Sequence, residues 1–164
     1  METKSQLSVI LSNKPGELAK LCDSLKEANI NILAMSIQNA KDAIKELYKI
    51  RNKTGRRIAL DASYQGILKD SSDYSMIRLV VDKPLEAEQI LLRANHLVDI
   101  EPVLVFRLAN HPGVLGRVAK SLGEIGINID YIYGSAMEDA RESIFVVHIA
   151  EADFARLGQT FENL

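Results

Sequence analysis

The chain has 164 residues, a formal net charge of −2 and a single cysteine. That length holds one domain, or two small ones sharing a core, and a balanced charge gives no global reason to expect nucleic acid or a membrane surface as partner. Cys22 alone excludes an intrachain disulfide framework, no apolar run nears the roughly 20 residues that span a bilayer, and Met1 to Gln6 lacks the apolar core of a secretory signal, so a soluble cytoplasmic protein is expected.

Lys4 to Ser12 alternates, with Leu7, Val9 and Leu11 on one face, which predicts a half-buried strand. Asn13-Lys14-Pro15-Gly16 breaks it, because proline lacks an amide hydrogen and glycine tolerates unusual dihedrals. Leu18, Leu21, Cys22 and Leu25 then recur at helical spacing, and Ile30 to Gln38 reads as a second strand. Tyr74 to Val81 is a third strand. Pro84 opens a second helix that turns Ala87, Ile90, Leu91 and Ala94 inward, and Leu97 to Ile100 is a short fourth strand. The order is β-α-β-β-α-β.

The pattern then begins again. Leu104, Phe106 and Leu108 predict a strand, and Asn110-His111-Pro112-Gly113 breaks it as Asn13 to Gly16 did. Leu115, Val118, Ala119 and Leu122 mark the inward face of the next helix. Ile127 to Ser135 and Ser143 to Ile149 predict two more strands, and Ala152 to Phe161 a last helix. Asn13-x-Pro15-Gly16-x-Leu18 returns as Asn110-x-Pro112-Gly113-x-Leu115, and Ile30-Asn31-Ile32 returns as Ile127-Asn128-Ile129, both offset by 97 residues. One unit has been copied. The copy lacks a fourth strand: Leu164 ends the sequence where one should follow. The first unit also carries about thirty residues, 40–72, that the second lacks. Their spacing predicts a helical hairpin, rich in lysine and arginine.

The topology, the Asn-x-Pro-Gly-x-Leu turn after the first strand and the Ile-Asn-Ile at the second resemble the ACT domain, and two fused copies resemble tandem-ACT proteins. The resemblance covers Lys4 to Asn39, Tyr74 to Glu101 and Val103 to about Leu157. It implies an α+β fold of two fused ferredoxin-like units with antiparallel sheets, at 1–101 and 102–164. It also implies a regulatory module that binds a small amino acid where ACT domains pair, lacks catalytic residues and forms a homodimer.

Physical chemistry supports what the resemblance implies, a ligand near the two turns. Each turn ends at a helix N-terminus, where amide hydrogens lack partners and the dipole favours an anion such as an α-carboxylate. The residues expected to contact it are Asn13, Lys14, Pro15, Gly16, Glu17 and Leu18 in one unit. In the other they are Asn110, His111, Pro112, Gly113, Val114 and Leu115. The carbonyls of Asn31 and Asn128 are expected to accept from the ammonium group. The competing reading is an ordinary strand-to-helix turn, in which asparagine serves only as a cap.

Two other functions are open: a regulatory subunit of an amino-acid biosynthetic enzyme such as acetolactate synthase, and a protein or nucleic-acid adaptor acting through the basic 40–72 segment. Nucleic acid is the weaker partner, because the sheet offers no aromatic platform. His96, His111 and His148 lack metal-ligand spacing, Cys22 reads as a small core residue, and no phosphate loop or nucleophile elbow appears. No metal, cofactor or enzymatic activity is expected.

Overall fold

The computed structural model describes residues 1–39, 73–135 and 141–157. The expected hairpin of 40–72 and the residues of the expected last helix beyond Leu157 lie outside them. The chain divides into two compact units, Leu7–Asp99 and Met1–Gln6 joined by Ile100–Leu164.

In the amino-terminal unit, β1 (Glu2–Ser12) enters at Leu7 and is followed by α1 (Glu17–Glu27), β2 (Ile32–Asn39), β3 (Tyr74–Val81), α2 (Pro84–Arg93) and the start of β4 (Leu97–Ala109). Its strands lie in the order β2-β3-β1-β4, the ferredoxin-like arrangement. β2 and β3 are antiparallel, with Met35 opposite Leu79 and Ile37 opposite Ile77. One face of the sheet meets both helices: Leu7, Val9, Leu11, Ile77 and Leu79 pack with Leu21, Leu25, Ala87 and Leu91. Burial of such side chains stabilises by roughly 1.5–3 kcal/mol each.

The carboxy-terminal unit continues β4 and adds α3 (Val114–Glu124), β5 (Tyr131–Ser135), β6 (Glu142–His148) and a 3-10 turn at Glu151–Arg156. Its order is β1-β4-β6-β5, so Met1–Gln6 of β1 stands at the fourth-strand position of this unit's sheet. Leu104, Phe106, Leu108, Val118, Leu122 and Val147 form its core. Both units are α+β with antiparallel pairing.

Five expectations are corrected. The strands expected at Leu97–Ile100 and from Leu104 are one thirteen-residue strand running through Pro102. Proline removes an amide donor there, but its fixed φ is compatible with extended backbone. On α3 the buried row is Val114, Val118 and Leu122, while Leu115 and Ala119 are exposed. Ala94 is exposed as well, because it is the residue that ends α2. The expected last helix is only six residues of 3-10 turn within the described part. Finally β5 starts at Tyr131, not Ile127, because Ile127 is needed to stop the helix.

That stop is built the same way three times. At the end of α1, Asn29 has φ 53°, its amide reaches the Lys26 carbonyl, and the Ile30 amide reaches the Leu25 carbonyl. Gly126 and Ile127 do the same for α3, and Asn95 and His96 for α2. This pairing satisfies the last helical carbonyls, and after α1 and α3 it puts an isoleucine just beyond the cap. The first isoleucine of each Ile-Asn-Ile is therefore structural; Ile30 and Ile127 are buried.

Candidate functional site

The two Asn-x-Pro-Gly turns have one geometry. Gly16 has φ +89° and Gly113 φ +90°, the left-handed region, and each is the residue just before its helix. An added Cβ would meet nothing within 4 Å at either position, so the backbone, not crowding, requires glycine. The space beside each helix N-terminus is open. The Glu17 amide turns back to the Lys14 carbonyl at 3.3 Å, and the Val114 amide to the His111 carbonyl at 3.5 Å. The next amides of each helix point outward without intrahelical partners.

Asn13 and Asn110 are held alike. The Asn13 amide donates to the Asp73 carbonyl and the Asn110 amide to the Arg141 carbonyl. Ser75 donates its hydroxyl to Asn13 Oδ1 at 3.4 Å, and Ser143 donates to Asn110 Oδ1 at 3.1 Å. Neither asparagine caps its helix. Ser75 and Ser143 are buried, and neither stands out in the sequence. Each is the second residue of its strand, but the segment 40–72 breaks the offset and leaves the two serines 68 residues apart rather than 97.

The loops differ in charge. Glu17 lies at the start of α1 and its carboxyl is held below the usual carboxylate range, chiefly by the hydrogen bond from Lys20 at 2.7 Å. A carboxylate already sits at that positive helix end. The first turn of α3 has no acid; Val114 takes the place of Glu17 and Arg117 that of Lys20. Lys14 and His111 are both exposed, with His111 Nδ1 3.1 Å from the Pro112 carbonyl. Leu18 is partly packed on its core, whereas Leu115 stays exposed beside its loop.

Asn31 and Asn128 are not beside the loops of their own units. Asn13 bonds the residue just before β3, while Asn31 exchanges hydrogen bonds with Asp82, just after it: the Asn31 amide to Asp82 Oδ1 at 2.9 Å, the Asp82 amide to the Asn31 carbonyl at 3.1 Å. An eight-residue strand separates them, roughly 25 Å at strand rise. In the other unit Asn110 lies at the start of β6, and the Asp130 amide bonds the His148 carbonyl at its end. Both asparagines are exposed, and among the described residues neither side chain has a hydrogen-bond partner. A cleft of about 620 Å³ opens beside Asn31, lined also by Cys22, Lys26, Asp82 and Lys83. Among the described residues no three His, Cys, Asp or Glu side chains converge to hold a metal ion, and no helix is long and apolar enough to cross a membrane.

Residues 102–164 match the ACT domain family model. No curated protein sequence matches the chain. A solved protein from Bacteroides thetaiotaomicron shares 25% identity at a TM-score of 0.66, covering 94% of this chain and 84% of its own. The ligand-free regulatory subunit of aspartate kinase from Thermus thermophilus superposes at 0.53 with 16% identity, covering 99% of both chains. The corresponding Thermus flavus subunit gives 0.51 with 19% identity, over 99% of this chain and 94% of that one. At such identities the Thermus likenesses concern the fold.

Proposed function

We propose that this chain is a non-catalytic regulatory protein made of two ACT domains, 1–101 and 102–164, and that it binds a small amino acid at each Asn-x-Pro-Gly turn when copies pair. The observation that carries this reading is the twofold construction of one open helix N-terminus, each with a left-handed glycine and a serine-held asparagine. A core needs only hydrophobicity at the right period, whereas these turns repeat particular polar residues around an open helix end. Outward amides and the helix dipole suit the α-carboxylate.

The ammonium partner comes from a second copy. Among the described residues β2 is an edge strand, and its eight residues, Ile-Leu-Ala-Met-Ser-Ile-Gln-Asn, carry no charge. Leu33, Met35 and Ile37 on it are 38%, 42% and 52% exposed. Natural edges are usually guarded by charge or proline, and this one is not. Two β2 strands paired antiparallel set Ile32 of one copy beside Asn39 of the other. Asn39 pairs with Ser75, at the loop end of the unit. One copy's Asn31 then faces the other's Asn13-Gly16 turn, and the roughly 25 Å separation within a unit becomes the reason a pair is required. β5, the uncharged edge of the other unit, serves Asn128 and the Asn110-Gly113 turn in the same way.

The test is a thermal-shift panel of the twenty amino acids at millimolar concentration, with light scattering for the pair. A ligand at about a hundred times its dissociation constant adds roughly 2.7 kcal/mol, which raises the midpoint by several degrees for a chain of this size. Gly113→Asp should abolish binding at its site, while Gly113→Asn, equal in shape and also tolerant of φ > 0, should retain most of it. Ile37→Lys should yield monomers. Silence across the panel in a folded protein would remove the reading. The full-length likeness to aspartate kinase regulatory subunits keeps a second reading open, a subunit that acts on a separate enzyme; a pull-down recovering no biosynthetic enzyme would count against it.

A further inference from the structure

One cluster of polar side chains in the carboxy-terminal unit has no counterpart in its repeat. The Gln6 side chain is fully buried, at 0% exposure. Its Nε2 donates to Glu101 Oε1 at 2.9 Å and to the Tyr131 hydroxyl, and its Oε1 accepts from the Tyr133 hydroxyl at 2.9 Å. Tyr131 also donates to Glu101 Oε1 at 2.8 Å. The other oxygen of Glu101 lies 3.2 Å from His148 Nε2, and His148 Nδ1 lies 3.0 Å from Asp130 Oδ2. The rings of Tyr131 and His148 stack at 4.6 Å with 8° between their planes.

At the matching positions of the amino-terminal unit stand Leu33 for Asp130, Ala34 for Tyr131, Ser36 for Tyr133 and Val80 for His148. The registers agree, since Tyr131 opposes His148 as Ala34 opposes Val80. The fold is thus built once without these groups, so it does not need them. What they do hold is the segment after Asn128. Asp130, two residues on, is fixed to His148 twice, by backbone amide to carbonyl at 3.0 Å and by its carboxylate. From His148 the chain of bonds runs through Glu101 to Gln6, in the strand that completes this unit's sheet.

We propose that Gln6, Glu101 and His148 are positioning residues for the ligand site at Asn128: they fix the Asn128–Asp130 segment so that its asparagine is aimed in advance at the ligand. This rests on the amino-acid-binding reading. Pre-aiming lowers the ordering cost of binding at Asn128; Asn31 is held differently, by its own pair of hydrogen bonds with Asp82, and does not depend on this network. The network also makes the Asn128 site sensitive to how firmly Met1–Gln6 is seated.

The experiment compares the full chain with His148→Phe, which keeps a ring to stack on Tyr131 but removes both nitrogens. The probe is whichever of the twenty amino acids shifts the wild type most. Calorimetry should show two sites per chain in the wild type, and in the variant about tenfold weaker binding at one site alone, the site that Asn128→Ala also weakens. Asn31→Ala in the same background should then weaken the remaining site. Amide exchange should quicken over Asn128 to Tyr133 and stay unchanged over Leu7 to Leu11. If His148→Phe does not fold, Glu101→Gln, isosteric and uncharged, takes its place with the same readouts. Equal weakening at both sites would mean a general loss of stability and overturn the inference, as would unchanged binding or unchanged exchange at Asn128. Absence of any binding by the wild type would overturn the functional reading and this one together, an outcome distinct from a wild type and variant that bind alike.

Discussion

Replacing Gly113 by alanine isolates the energetic demand of the turn. No atom lies within 4 Å of the Cβ that would be added, so crowding contributes nothing and the entire cost is conformational. Holding an L-residue in the left-handed region costs about 1–2 kcal/mol. Part of this is offset, because alanine narrows the unfolded ensemble by about 0.4–1 kcal/mol relative to glycine. A net loss of about 1 kcal/mol remains. Gly116 and Gly123 supply the control within the same helix: an added Cβ again meets nothing within 4 Å, but neither has a positive φ. Alanine there should stabilise by about 0.5–1 kcal/mol. Gly113→Ala and Gly116→Ala should therefore differ by about 2 kcal/mol, or roughly 4–8 °C in Tm at 2–4 °C per kcal/mol. Scanning calorimetry, backed by urea unfolding at constant m-value, reads the difference. Gly16→Ala should repeat the loss in the other unit. If Gly113→Ala proves as stabilising as Gly116→Ala, the turn has no need of its left-handed residue and the argument for a prebuilt loop is wrong.

Gly134 is constrained by contact instead: a Cβ would run into the Phe145 ring and lie 2.7 Å from the Ile144 carbonyl oxygen, so Gly134→Ala should cost about 1–3 kcal/mol by overpacking, measured by urea unfolding. Ser143→Ala removes the hydroxyl bound to Asn110 and should cost about 1 kcal/mol, with the Asn110 and His111 amides exchanging faster; no change in exchange would mean the serine does not hold the turn. The Glu17 carboxyl has its folded value lowered, so whatever stability it adds is present above its ordinary value of 4.5 and lost as pH falls below it. Titration followed by carbon-13 NMR of Glu17 should show most of this lowering lost in Lys20→Met.

Much of the architecture can be read from the sequence because it depends on periodicity. Leu21 and Leu25 on α1, the alternation of Leu7, Val9 and Leu11, and the order of elements all follow from apolar spacing that a sheet with two helices must bury. Leu115 misleads for a local reason. It matches Leu18 in the repeat, but Val114, where the first unit has Glu17, supplies the apolar contact at the start of the helix and leaves Leu115 exposed. Apolar spacing does not show that Leu97–Ile100 and the strand from Leu104 are one, because the polar Asp99 and Glu101 and the proline at 102 interrupt the pattern between them. The glycine turns were visible, but what holds their asparagines was not. A serine that meets an asparagine 62 residues away, as Ser75 meets Asn13, leaves no mark in any local window. The Gln6 cluster was hidden for the same reason, with partners 95 to 127 residues distant. Nor does spacing reveal that Asn13 and Asn31 flank opposite ends of β3; that follows only from the pairing of strands.

The continuity of β4 and the division of β1 at Gln6 bear on how this protein can be cut. A fragment beginning at Ile100 covers nearly every residue of one repeat, and all of the stretch that matches a family model, yet it would leave behind the six residues that complete its sheet. Its first strand would offer a bare row of backbone donors and acceptors to any neighbour, which is how soluble sheets begin to stack into insoluble ones. Shortening the chain by five residues at its start would do the same damage from the other end. An affinity tag fused at Met1 would be attached not to a loose tail but to a strand of the distant repeat.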